Sequence, residues 1–380
     1  MYIPQQQLSN LQKLISPQKA ILIYGPRRCG KTTLITEFLK GVDEKYLFVN
    51  GDDIYVREFL SSQSIEKLKS FVGDNKLLAI DEAQRIKGIG LNLKIILDHI
   101  PDLRVIASGS SSFDLCREAG EPLTGRKITL QLFPLAQLEI GRLETKAESA
   151  ALLEDRLVFG SYPEIVLAKS HEHKTRLLKE LIGSYLLKDI LELDGIKNSD
   201  KILRLLQLIV FQIGREVSLS EIGRQLSLSK NTVDRYMELL ERTFVIFRIT
   251  GFSRNLRKEI TKSHRFYFLD NGVRNALINN FNPLNFRDDT GMLWENYIVT
   301  ERMKRREYTG IMANSYFWRT YEQHEIDLVE ESGGMLHAYE IKWSGGKKGN
   351  SVAWLSAYPD SEYQIVSREN YLSFITQKDP

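Results

Sequence analysis

Residues Gly25–Thr33 read Gly-Pro-Arg-Arg-Cys-Gly-Lys-Thr-Thr, with Gly25, Gly30, Lys31 and Thr32 at the spacing G-x-x-x-x-G-K-[ST]. That spacing suits a nucleoside triphosphate. The glycines let successive backbone N–H groups curl around the β- and γ-phosphates, and the helix that follows turns its positive end to the same anion. Lys31 adds a mobile positive charge and the Thr32 hydroxyl a ligand for magnesium, while Pro26, Arg27, Arg28, Cys29 and Thr33 complete the phosphate-binding loop. A second chemical stretch is Leu77-Leu78-Ala79-Ile80-Asp81-Glu82, four apolar residues ending in two carboxylates. Asp81 is expected to hold magnesium, directly or through water, and Glu82 to orient and deprotonate the attacking water. Downstream, Leu103–Ser111 runs from apolar residues into Ser-Gly-Ser-Ser, which offers Ser108 and Ser110 as polar groups near a γ-phosphate. Arg126 follows a Gly/Pro-rich loop at 120–125; it reads as an arginine finger, within its own subunit or a neighbour's, or as a surface arginine.

Elements must hold these groups. Ala20–Tyr24 is a short apolar run suited to a buried parallel strand, and Leu34–Lys40 has helical spacing without Pro or Gly. The 77–82 and 103–109 runs read as further buried strands, so residues 1–150 are expected to form an α/β core around a parallel sheet. Residues 151–200 are Leu-rich with Glu and Lys on alternate faces and read as amphipathic helices, with a Leu/Ile stripe over 177–191.

Over 201–285 the pattern changes. Val217–Leu226, a short Ser-Leu-Ser turn and Lys230–Leu240 read as helix, turn and helix, with Ser218 or Ser220 and then Ser229 as N-cap residues. The second helix would offer Lys230, Asn231, Thr232 and Arg235 to DNA. Phe244–Thr250 and Arg265–Leu269 alternate like strands around a basic 254–265 stretch, completing a winged helix-turn-helix. Residues 201–275 carry 14 Lys and Arg against 7 Asp and Glu, while the whole chain carries only +3, so the remainder is acidic by four. Such an island is an electrostatic footprint for phosphate, though Asp234 and Glu238 oppose it and winged helices also serve as protein-interaction spacers.

Residues 286–380 hold a second set of chemical groups. Met292–Arg305 reads as a helix carrying Glu295, Glu325–Val329 as a strand carrying Asp327, and Leu336–Trp343 as its hairpin partner carrying Glu340-Ile341-Lys342. Alternation puts Glu340 and Lys342 on one face, and the hairpin brings Asp327 alongside. The arrangement resembles the PD-(D/E)xK nuclease core, in which two carboxylates share a magnesium ion and the lysine activates water or steadies a phosphate. The resemblance leaves both an active and a relic module open. Trp294, Tyr297, Phe317, Trp318, Tyr339 and Trp343 read as core.

At 380 residues, 42 % hydrophobic and 27 % charged, the chain suits a globular protein of two or three domains. Cys29 and Cys116 form no spacing motif, and one lies in the phosphate loop, which points to a reducing cytoplasm. Its first residues do not read as a signal peptide, and no apolar stretch approaches the length of a membrane span.

Together, Gly25–Thr33, the Asp-Glu-Ala-Gln ending of 77–84, the Ser-Gly-Ser-Ser turn, Gly120–Arg126, Phe133-Pro134-Leu135 and Gly160–Glu164 resemble a large group of prokaryotic AAA-type ATPases. That resemblance implies ATP rather than GTP, with magnesium, and a helical lid at 151–200. It implies an ATPase followed by a C-terminal half of unknown role, meeting DNA, a protein partner or a second copy of the chain.

Overall fold

The computed structural model describes residues 2–109, 123–186, 199–253, 264–320, 322–344 and 351–377. The chain divides into two compact units, one essentially residues 2–134 and the other residues 135–377 apart from Arg242–Phe244.

In the first unit, strands β1 (Ala20–Tyr24), β2 (Tyr46–Asn50), β3 (Leu77–Asp81), β4 (Arg104–Gly109) and β5 (Lys127–Gln131) form one sheet in the order β2-β3-β4-β1-β5. All four pairings are parallel. Parallel strands covered on both faces must be apolar throughout, and β3 is buried at every residue. One face packs Leu22, Leu78, Ile80 and Val105 against Leu60, Leu68 and Leu93. The other packs Ile21, Ile23, Ala79 and Ile106 against Leu11, Leu34 and Phe38. The parallel pairing turns every strand's carboxyl end to the same edge, where β1 runs into the phosphate loop and helix Lys31–Leu39.

The second unit is built on a seven-stranded sheet. Its strands are β6 (Glu216–Val217), β7 (Ile246–Gly251), β8 (His264–Phe268), β9 (Asn314–Arg319), β10 (Glu325–Ser332), β11 (Met335–Ile341) and β12 (Glu362–Val366), in the order β12-β11-β10-β9-β7-β8-β6. The helix, turn, helix and two strands expected over 201–285 correspond to helix Leu219–Leu226, helix Lys230–Arg242, β7 and β8; helix Ser199–Val210 and β6, which the sequence reading did not include, precede them. Ser218 and Ser229 accept backbone N–H groups at the two helix starts, as their caps. The basic stretch between β7 and β8 lies outside the described residues.

The boundary at 285/286 does not separate compact units, because β7 pairs in parallel with β9, Thr250 opposite Tyr316 and Gly251 opposite Phe317. The described helices of 151–186, expected as a lid or connector, share a hydrophobic core with other elements of the second unit: Leu157, Phe159, Leu178 and Leu181 cluster with Leu205, Phe268, Val273 and Trp294. Sequence patterning shows that a face is apolar but not which sheet it meets. Trp294, Tyr297, Phe317, Trp318 and Tyr339 are core side chains and Trp343 packs against them, as expected.

Candidate functional site

The loop between β1 and helix Lys31–Leu39 needs two unusual backbone positions. Gly30, at the helix N-cap, has φ 99°, and Arg28 has φ 60°. Glycine also serves at Gly25, where a Cβ would stand 2.0 Å from the Leu132 carbonyl oxygen. A turn this tight aims successive N–H groups inward. Lys31 is buried, and its Nζ donates to the carbonyls of Gly25 at 2.9 Å and Pro26 at 2.8 Å, so the ammonium closes over its own loop.

β3 and β4 bring the other groups to this edge. Thr32 Oγ1 donates to Asp81 Oδ2 at 2.6 Å, and Ser108 Oγ donates to Asp81 Oδ1. The hydroxyl and carboxylate are a hard oxygen donor set that fits magnesium completed by phosphate oxygens and water. Asp81 is 4 % exposed, so its charge is held in a protected place. Glu82 follows in the left-handed region, φ 50° and ψ 39°, which turns the chain out of the strand. Gln84 Nε2 donates to Glu82 Oε2 at 2.6 Å and fixes the carboxylate. Gly51 allows this turn, since a Cβ there would lie 2.4 Å from the Glu82 carbonyl oxygen.

Of the residues singled out from sequence, Gly25–Thr33, Asp81, Glu82 and Ser108 therefore lie at one edge of the sheet. Ser110 lies outside the described residues. Arg126 is not brought to this edge. Its carbonyl accepts the Ala20 N–H at 2.8 Å, at the start of β1, and its guanidinium pairs with Asp98. The length of β1, roughly 13 Å, separates that position from the loop, so Arg126 is no finger for the loop of its own chain.

Motif reading missed the start of the first helix, Gln6–Leu14, and its N-cap residue Gln5. The Gln5 side chain, 5 % exposed, donates to the Cys29 carbonyl at 3.0 Å, and Gln7 donates to the Gln131 carbonyl at 2.8 Å. These two amides fasten the N-terminal segment to the loop and to β5. No local pattern marks them, because each bond joins residues far apart in the chain.

In the second unit, the helix Thr290–Thr309 carries Glu295 and the β10–β11 hairpin carries the rest. Leu328 pairs with Tyr339, so Asp327 and Glu340 stand one step further along the same register. Glu340 Oε1 and Lys342 Nζ are 3.0 Å apart, on one face as alternation requires. Burial, helped by the Asp327 charge, pushes Glu295 up to about 8 against the opposing Arg265 charge. Burial likewise raises Asp327 to about 6, against the Ile341 N–H and the charges of Lys342 and Arg265. These four groups thus feel one another. Sequence reading missed Arg265 and Tyr267, which reach the same cluster from β8; Tyr267 donates to Glu295 Oε1 at 2.8 Å.

Lys230, Asn231 and Arg235 are exposed near the start of helix Lys230–Arg242. Thr232 is half-buried, and its hydroxyl is 2.8 Å from that of Ser229.

Comparison with known proteins divides the chain into three matched stretches. Residues 17–141 match the AAA domain family, 150–284 a domain of unknown function (DUF8612) and 290–374 another (DUF4143). An uncharacterised protein of Mycobacterium tuberculosis is 27 % identical over 341 residues, which cover 88 % of this chain and 72 % of that one. An uncharacterised protein of Methanocaldococcus jannaschii is 26 % identical over 337 residues, covering 83 % and 73 %. Among solved structures, the Walker-type ATPase of Pyrococcus abyssi is similar at 16 % identity and TM-score 0.49, over 73 % of this chain and 96 % of that one. No helix among the described residues is long and apolar enough to cross a membrane. The parallel sheet, the loop at its edge and the match over 17–141 make the first unit an AAA-type P-loop ATPase-like domain.

Proposed function

We propose that the protein is an ATP-binding and ATP-hydrolysing molecular switch whose nucleotide state controls its C-terminal unit, and through it DNA or a partner protein. The observation that carries this reading is the meeting of Thr32, Asp81 and Ser108 beside the Lys31 loop. Bound magnesium would neutralise phosphate charge as it develops during hydrolysis. Thr32 and Asp81 would hold it, Lys31 would leave its carbonyl partners for the phosphates, and Glu82 would take a proton from the attacking water. The cytoplasm is the setting proposed.

DNA is the effector partner favoured by the basic island and by the exposure of Lys230, Asn231 and Arg235 at the start of a helix followed by a hairpin, the layout of a winged helix. An ATP-licensed nuclease using Glu295, Asp327, Glu340 and Lys342 is the second reading, favoured by the shared face of Glu340 and Lys342. One incubation with end-labelled duplex DNA, ATP and magnesium or manganese tests both, read on native and denaturing gels. A nucleotide-dependent shift without cleavage is expected. Cleavage lost in Glu340→Ala would establish the nuclease. Neither shift nor cleavage would remove DNA and leave a protein partner or a second copy of the chain. Absence of ATP hydrolysis would overturn the switch itself.

A further inference from the structure

A buried cation, paired with Glu325, lies beside the C-terminal cluster. Arg265, on β8, is 1 % exposed, with Nη2 2.8 Å from Glu325 Oε1 and its guanidinium carbon 4.4 Å from the centre of the Phe317 ring. Its Nε and Nη1 make no hydrogen bond, so this side chain is kept inside by charge and stacking more than by donor pairing. Burial alone would favour the neutral form. The nearby Glu325 and Asp327 carboxylates oppose it and keep the guanidinium charged.

Each carboxylate singled out for a metal already has an internal partner. Glu295 accepts from Tyr267 at 2.8 Å, and Asp327 Oδ2 accepts the Ile341 N–H at 2.7 Å. Glu340 faces Lys342 at 3.0 Å and accepts the Tyr363 hydroxyl. Among the described residues, no three His, Cys, Asp or Glu side chains are grouped to hold a metal ion. A magnesium-dependent nuclease centre needs carboxylate oxygens turned together onto one ion at close to 2.1 Å. The residue types fit that group; their arrangement does not.

We infer that Arg265 is the resident cation of this cluster, standing where a carboxylate-rich site would otherwise take a divalent metal ion, and that the folded protein binds no magnesium or manganese there. A doubly charged ion beside a buried guanidinium meets repulsion that water cannot screen. Arg265 and Tyr267 lie within residues 150–284, whereas Glu295, Asp327 and Glu340 lie within 290–374. The Arg265–Glu325 ion pair and the Tyr267–Glu295 hydrogen bond thus join the two sequence modules. The inference rests on reading these residues as one cluster, and it sets a metal-dependent nuclease aside.

The test is manganese binding to the full nucleotide-free chain carrying Asp81→Asn, which suppresses the metal position at the phosphate loop. Free Mn2+ is counted by electron paramagnetic resonance. No site of submillimolar affinity is expected. Adding Arg265→Gln should create one, with affinity at least about tenfold higher, and Asp327→Asn should abolish it. A manganese ion bound before Arg265 is changed, and lost with Asp327→Asn, overturns the inference even if Arg265→Gln fails to fold. So does a folded Arg265→Gln chain, checked by circular dichroism, that gains no site. A gained site that survives Asp327→Asn would instead overturn the grouping of these residues into one cluster.

Discussion

Thr32 and Asp81 stand 49 residues apart in the chain and meet at 2.6 Å between hydroxyl and carboxylate. Thr32 is the second residue of the helix that follows β1, and Asp81 closes β3, separated from β1 in the sheet only by β4. That β4 neighbour supplies Ser108, whose hydroxyl takes the other Asp81 oxygen. One carboxylate therefore joins a helix that follows β1 to β3 and β4 at the place where phosphate is expected.

From this follows the first prediction. Asp81→Asn should keep the fold but weaken metal-dependent nucleotide binding and reduce ATP turnover by about a hundredfold or more. The measurement is ATPase rate against magnesium concentration. Turnover equal to wild type at every concentration would remove Asp81 from the metal site.

Lys31→Ala should lower ATP affinity at least about a hundredfold, close to 2.7 kcal/mol, because a charge-assisted contact to phosphate is lost. Fluorescent-nucleotide titration measures it. The Gly25 and Pro26 carbonyls that now accept from Lys31 would be left to water, so melting temperature should be followed alongside.

Glu82→Gln should bind ATP normally and hydrolyse it roughly 10²–10⁴ times more slowly, the range expected when a general base is removed. Single-turnover kinetics separates the two steps. Wild-type hydrolysis would assign the base elsewhere.

Gly160 has φ 74°, and a Cβ there would stand 2.0 Å from Asp270 Oδ1. Asp270 is buried and accepts the Ser161 N–H at 2.7 Å and the Val273 N–H at 3.1 Å. Gly160→Ala combines a disfavoured backbone with a clash and should cost on the order of 2–4 kcal/mol. A fall of the C-terminal unit's melting transition by several degrees is expected.

The pH dependence of stability tests Glu295. Its folded carboxyl is raised to about 8 from an ordinary 4.5. Below 4.5 both folded and unfolded forms hold the proton, so there is no effect. Between 4.5 and 8 only the folded form holds it, so stability falls as pH rises by up to about 1.4 kcal/mol per pH unit. Above 8 the loss is complete. Glu295→Gln should flatten this decline in urea titrations from pH 5 to 8; an unchanged slope would place the proton on another group.

Much of this was readable in the sequence because it is local. A phosphate loop is written within nine residues, since consecutive N–H groups do the binding. The buried strands β1, β3 and β4 are short apolar runs, and Ser218 and Ser229 mark helix starts that cap themselves within three residues. Alternation alone put Glu340 and Lys342 on one face. Arg126 shows the limit. A Gly-rich loop before an arginine says nothing about which end of a parallel strand that loop adjoins, and the sheet sets Arg126 at the end away from the phosphates.

The sequence by itself determined which residues carry phosphate chemistry and the period of each element. Both are properties of near neighbours along the chain. Only the tertiary structure decided that Gln5 fastens the phosphate loop, that β7 pairs with β9 to make one sheet from two sequence modules, and that Arg265 lies among the carboxylates. Such pairings depend on the burial of distant apolar faces against each other, and a buried charge finds its partner only once that burial is complete.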